Sequence, residues 1–156
     1  MNSWAQELED ALQKERGVLN ELSDLAERER DVIVSGDVAR MDLCLNDEMP
    51  LLMQLDYLEE RRRAILSKAG MTGNTLSEAA DMAGEGEREV FLELLCSMRG
   101  ITARLKRVND LNGRLVRSRL ELYDMMRGGH DRGVYYGAYG MTEEKSPIRS
   151  LIDQKI

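Results

Sequence analysis

The chain has 156 residues, with 22 Lys and Arg against 29 Asp and Glu, a formal net charge of −7. Hydrophobic residues make up 42% and charged residues 33%, with only two prolines. This mix argues for one domain of long helices and against a sandwich or barrel. The single histidine and the two distant cysteines, Cys44 and Cys96, leave little for metal or nucleophilic chemistry, and neither Cys belongs to a Cys-x-x-Cys pair. No apolar run approaches the ~20 residues of a membrane span. Met1 to Glu7 has neither a basic start nor an apolar segment, so no secretory signal is expected. Cytoplasmic residence with reduced thiols follows as the expectation.

Residues 3 to 34 read as one helix. Trp4, Ala11, Val18, Leu25 and Val32 form one seven-residue row, and Ala5, Leu12, Leu19, Ala26 and Ile33 form the next. Both rows are wholly apolar and make one stripe. Leu8 and Leu22 widen it, while Glu15 and Glu29 interrupt that third row. Ser35-Gly36-Asp37 predicts the stop and the next cap. A rod of about 45 Å results, which must bury its stripe against other helices to be stable.

The spacing predicts a second helix over 38–69, with rows Cys44, Leu51, Leu58, Ile65 and Val38, Leu45, Leu52, Leu66. Pro50 falls inside. The rows keep register across it, so a bent but nearly continuous helix is expected rather than a break. Glu59 to Arg63 read as a solvated face. Gly70 ends the helix. A short helix is expected at 75–83, capped by Asn74 or Thr75, and Thr75 with Glu78 has capping-box spacing.

The last long helix is predicted over 87–127, stopped by Gly128-Gly129. Leu94, Ile101, Val108, Leu115 and Leu122 make an unbroken apolar row. Phe91, Met98, Leu105, Asn112 and Arg119 flank it on one side, and Leu95, Thr102, Asn109, Val116 and Tyr123 on the other. Asn109, Asn112 and Gly113 are poor helix formers on a face that should be buried. Two readings stand: buried Asn fixes helix register while Gly admits a close neighbour, or the three form a notch for another chain. Beyond 129 the chain alternates Gly and Tyr through Tyr135, Tyr136 and Tyr139. It then carries a short amphipathic segment opened by Ser146-Pro147. The expected fold is therefore all-α: an antiparallel bundle or coiled coil of long helices with a short connecting helix and a mobile C-terminal tail. Residues 1–129 would form the bundle and 130–156 the tail.

Charge is unevenly placed. Residues 1–60 hold five basic and 16 acidic side chains, whereas the stretch from Arg99 to Arg119 has Asp110 as its only acid. A basic helix beside an acidic one in the same bundle is the favoured reading over a nucleic-acid stripe, because aromatics are not interleaved with the arginines. Catalytic chemistry is missing. His130 lies in the glycine-rich tail, there is no phosphate-binding loop, and no carboxylate pair stands out as general acid and base. A non-enzyme without cofactor or metal is expected.

Val108-Asn109-Asp110-Leu111-Asn112-Gly113-Arg114-Leu115-Val116 resembles the Asn-x-x-Asn-Gly segment in the last long helix of the FlgN family of flagellar type III export chaperones. The long first helix, Gly36-Asp37, Leu58-Glu59-Glu60-Arg61-Arg62 and Tyr136-Gly137-Ala138-Tyr139-Gly140 follow in the order of that family, over residues 4–140. Pro50 departs from its uninterrupted second helix. The resemblance implies a chaperone that covers helical C-terminal segments of the hook-associated proteins FlgK and FlgL, prevents their premature assembly and delivers them for export. The expected partner-binding residues are Leu94, Ile101, Leu105, Val108, Asn109, Asn112, Gly113, Leu115, Val116 and Leu122 in a helical groove. Tyr136, Gly137, Tyr139 and Gly140 form a second site, suited to the export apparatus. The alternatives are a structural coiled-coil homo-oligomer and a helical export chaperone with another client. No nucleic acid and no membrane span are expected.

Overall fold

A computed structural model describes residues 3–73 and 75–127. Among them are four helices: α1 (Ser3–Ser35), α2 (Val38–Lys68), α3 (Leu76–Met82) and α4 (Glu85–Arg127). The expected all-α bundle is what is found. The tail beyond 127 lies outside the described residues.

The turns follow local chemistry. Gly36 takes φ 73° between α1 and α2, and its N–H donates to the carbonyls of Val32 and Ile33 at 3.1 and 3.2 Å. The left-handed backbone disfavours a side chain there, and a Cβ would also shift the Arg119 guanidinium, whose Nη1 lies 2.7 Å from its position. Asp37 caps α2 by accepting from the Arg40 N–H at 3.1 Å. At the far end, Gly70 has φ 83°. Its N–H and that of Met71 reach back to Ser67 and Leu66, each at 3.0 Å, the paired bonds of a Schellman stop. The capping-box chemistry is divided between two helices. Thr75 accepts from the Glu78 N–H at 3.2 Å, while at α4 it is Glu87 that reaches back to accept from the Gly84 N–H at 3.1 Å.

Helix α2 runs unbroken through Pro50. Proline removes the N–H that the Asn46 carbonyl would have used. Asn46 and Pro50 are both exposed, so the missing bond falls on the solvent side of the helix, where it costs least, and the helix continues.

Consecutive long helices are antiparallel, and α4 returns alongside α1 in the same direction. The Trp4 and Phe91 rings stack with centroids 6.2 Å apart at one end, and Arg119 donates to the Val34 carbonyl at the other. Helix α1 packs against both α2 and α4, and α3 packs on α4. Apolar rows of α1 bury as expected, Leu8, Leu12, Leu19 and Leu22 completely. The main core runs from Ala5, Met71, Leu76 and Phe91 to Ala26, Leu52 and Leu105. A second, smaller core forms beside the α1–α2 turn from Val32, Ile33 and Met41, with Cys44, Leu115 and Val116 against it.

Two expectations for α2 are corrected. Glu59 and Arg62 are not part of a solvated face but are buried at 2% and 4% exposure. They face α1, whose third row presents Glu15, itself at 0%. Arg62 Nη1 donates to Glu15 Oε1 at 2.9 Å inside the bundle. Val38, expected in an apolar row, is exposed, because α2 begins outside the turn.

Two heptads further along that α1 row, past Leu22, stands Glu29, and its counterpart on α2 is an acid rather than an arginine. Burial, and then the charge of Glu29, push the Glu48 carboxyl up to about 7. Burial also raises Glu29. Burial, with Glu29 and Asp47 adding to it, raises the Cys44 thiol against the pull of Arg28 and Arg40. This acidic layer lies where the main core gives way to the small one.

Two measurements test these layers. Arg62→Met leaves Glu15 buried beside an apolar chain and should cost about 3 kcal/mol in denaturant unfolding, with Glu15→Leu added to it recovering most of the loss. A carboxyl whose folded pKa is raised contributes stability that is full below its unfolded value and is lost as pH rises through the folded one. Glu48→Gln should therefore stabilise the fold by on the order of 1 kcal/mol at about pH 8 and have little effect at about pH 4; an unchanged pH profile would show that the acidic layer is fully hydrated.

Candidate interaction surface

Helix α4 supplies most of the residues expected to bind a partner, and it does not present them equally. Leu94 and Leu105 are buried in the chain's own core. Ile101 and Val108 are half-buried against that core, and Leu115 and Val116 are half-buried against the smaller one. Leu122, the last of the row, is 58% exposed. A seven-residue row drifts by about 20° per heptad on a straight helix, so a row that starts inside at Leu94 has turned outward four heptads later. The centre of the core instead follows Phe91, Met98, Leu105 and Asn112, each at 5% exposure or less.

The asparagines differ. Asn112 Nδ2 donates to the Ala26 carbonyl of α1 at 2.8 Å, across 86 positions of sequence. That bond sets the register of α4 on α1, as a buried polar residue does in a coiled coil. Asn109 is half-buried, and its Nδ2 is enclosed without a hydrogen-bond acceptor. Gly113 admits no close neighbour: a Cβ there would meet nothing within 4 Å. The expected close helix approach at Gly113 is therefore absent.

The basic stretch of α4 does meet the acidic α1. Arg104 pairs with Glu27 at 2.8 Å and reaches Asp24 at 3.8 Å. Arg119 holds the Val34 carbonyl in the last turn of α1, where a cation also complements the helix dipole.

Two apolar surfaces are left over. The first is the C-terminal part of α4, with Leu111 at 36% exposure, Leu122 at 58%, and Met125 and Met126 at 80%. Leu122, Met125 and Met126 stand beyond the Arg119 contact, where α1 has stopped at Ser35 and α4 continues to Arg127, whereas Leu111 lies alongside α1, next to the buried Asn112 but on the exposed side of α4. The second is the outer side of α2, where Leu43, Met49, Met53 and Tyr57 are exposed opposite the buried Leu52, Leu55 and Leu66. Sequence periodicity placed Leu115 and Leu122 on a sticky row but passed over Leu111, Met125 and Met126. The exposure of Met125 and Met126 follows from unequal helix lengths, 33 residues against 43, which only the packing reveals. Tyr136, Gly137, Tyr139 and Gly140 lie outside the described residues.

Among the described residues no helix is long and apolar enough to cross a membrane, and no cluster of His, Cys, Asp and Glu would hold a metal. What these residues offer is a helical scaffold with uncovered apolar rows. The model of the FlgN protein family matches residues 1–144. The chain belongs to the FlgN family. No curated protein and no solved structure gives a significant match. FlgN proteins are cytoplasmic, non-enzymatic chaperones for export of the flagellar hook-associated proteins FlgK and FlgL. The Asn-x-x-Asn-Gly segment of this FlgN chain is the middle of α4, where Asn112 locks onto α1 and Gly113 faces open space.

Opposite stability effects are expected from these two neighbours. Asn112→Ala should cost about 1–2 kcal/mol through the lost bond and the vacated amide. Gly113→Ala should stabilise by up to about 1 kcal/mol, since the helix gains propensity and no atom stands in the way. Thermal unfolding of both variants checks the pair; a destabilised Gly113→Ala would reveal a close approach at that position.

Proposed function

We propose that this FlgN chain holds its FlgK- or FlgL-like client by an amphipathic helical C-terminal segment laid along the outer side of α4, from Leu111 and Leu115 to Leu122, Met125 and Met126. The exposure of Leu111, Leu122, Met125 and Met126 is the observation that carries the reading: they share one helix with the half-buried Leu115, and the last three stand beyond the end of α1. Apolar rows of this kind on a helix accept an apolar helix face at i, i+3, i+4 and i+7. The two terminal methionines suit the role, because an unbranched thioether chain adapts to clients of differing shape. A client segment that is unfolded when free loses conformational entropy on docking. That cost keeps the complex reversible, as handing over to an export machine requires.

Covering the client's apolar face also accounts for how premature assembly is prevented, since the face that would pair with another subunit is occupied. Delivery to the export apparatus is assigned to a separate element, the Tyr136-Gly137-Ala138-Tyr139-Gly140 segment, which keeps client binding and delivery on different parts of the chain. The outer side of α2, with Leu43, Met53 and Tyr57 exposed, supports a second reading in which it contacts a further client helix or another copy of the chaperone.

Co-purification with the FlgK-like protein of the same bacterium separates these assignments. Leu122→Asp with Met126→Asp should lower client recovery by at least about tenfold while leaving the thermal midpoint in place, because both side chains are exposed. Truncation after residue 129 should leave recovery intact. If Met53→Asp abolishes recovery and the α4 variant does not, the client site moves to α2.

A further inference from the structure

The arginines of α4 are not all accounted for by α1. Arg104 is paired with Glu27 and Asp24, and Arg119 is spent on the Val34 carbonyl. Arg117 bonds the Gly113 carbonyl. Arg99 is exposed nearer the start of the helix, and Arg107 and Arg114 flank Leu111. Both are exposed, and among the described residues neither makes an ion pair; Arg114 only bonds the Asp110 carbonyl of its own helix, through Nε at 3.4 Å.

Their place on α4 is specific. Arg107, Leu111 and Arg114 are spaced i, i+4 and i+7, so Leu111 lies between the two arginines on one helix face. Leu115 and Leu122 form the next row inward. The arginines thus line the open edge of the exposed apolar stripe, on the side away from α1. Glu121 continues the same seven-residue row, so along α4 the edge runs cation, cation, anion.

We propose that the helix received by this stripe is edged with carboxylates: an amphipathic segment whose apolar face is bordered by Asp or Glu at two positions about one heptad apart, facing Arg107 and Arg114. This rests on the stripe being the client site, and adds the chemical class of client it selects. Pairs at a rim gain little affinity each but steer encounter, fix register and reject like-charged partners. The reversal at Glu121 limits the acidic requirement to the part of the client lying between Arg107 and Arg114. A nucleic-acid partner fits less well, since a phosphate backbone gains nothing from the leucines and methionines beside these arginines.

The test uses the full chain and two synthetic amphipathic peptides of about 20 residues, long enough to form a helix on docking. They share one apolar face and differ only in carrying Glu or Lys at the edge positions. At about 50 mM salt the Glu-edged peptide should bind roughly tenfold more tightly, and the gap should narrow at about 500 mM. Arg107→Glu with Arg114→Glu should invert the preference and keep the thermal midpoint of the parent chain. Equal binding of the two peptides, with Leu122→Asp still weakening both, would overturn the carboxylate edge and leave the α4 client site standing. Failure of both peptides would overturn the edge, while recovery of the FlgK-like protein by the Leu122→Asp variant reports on the client site separately. Salt-sensitive binding of a DNA duplex that the two Arg→Glu changes abolish would assign the arginines to nucleic acid instead.

Discussion

Helix α1 carries apolar residues over a wide arc, and the burial of that arc against two helices at once is the interaction on which the rest of the molecule depends. Its two apolar rows and its third, interrupted row supply all but one of the helix's thirteen buried positions, Ser23 being the exception. Helices α2 and α4 each pack on this surface far more extensively than on one another. Removing apolar surface from water at about 25 cal/mol per Å² makes that arc the main source of stability. It also means that a helix is covered only along the length of α1. The exposed end of α4 and the exposed outer side of α2 are the remainder left by a three-rod arrangement with one shared rod. Such a remainder is apolar surface that the fold itself leaves unused.

The polar interior shows how much one side chain decides. The third row of α1 presents a carboxylate to α2 twice, at Glu15 and at Glu29. The first meets Arg62 within hydrogen-bonding distance. The second meets Glu48, and both acids are driven toward their neutral forms by burial. A buried ion pair gives little net stability against an apolar alternative, but it permits only one pairing of the two helices. A pair of acids gives neither. The main core stays tight around Glu15 and Arg62, and it yields to a small separate cluster once the acidic layer is reached.

Much of this was legible in the residues. Helix ends were marked by Gly36, Asp37, Gly70 and Thr75, because positive φ and side-chain capping are local properties. Continuity through Pro50 was legible too, since apolar rows on both sides kept register. The FlgN resemblance rested on a segment of α4 and the order of elements around it. Burial of Glu59 and Arg62 was not legible. It depends on which α1 residue stands opposite, a long-range register that no local pattern encodes. The outward turn of the Leu94 to Leu122 row escaped for a different reason: a strict seven-residue count and the actual pitch of a helix differ slightly, and the difference accumulates. Met125 and Met126 are surface because α1 and α4 end at different heights, which no local pattern encodes.

Asn112 and Arg119 each grip a main-chain carbonyl of α1, Ala26 and Val34 respectively. Two fastenings two turns apart act as a ratchet stop: α4 cannot slide axially by even one residue without releasing both. A load on the last turns of α4 is therefore shared with α1 through these two contacts.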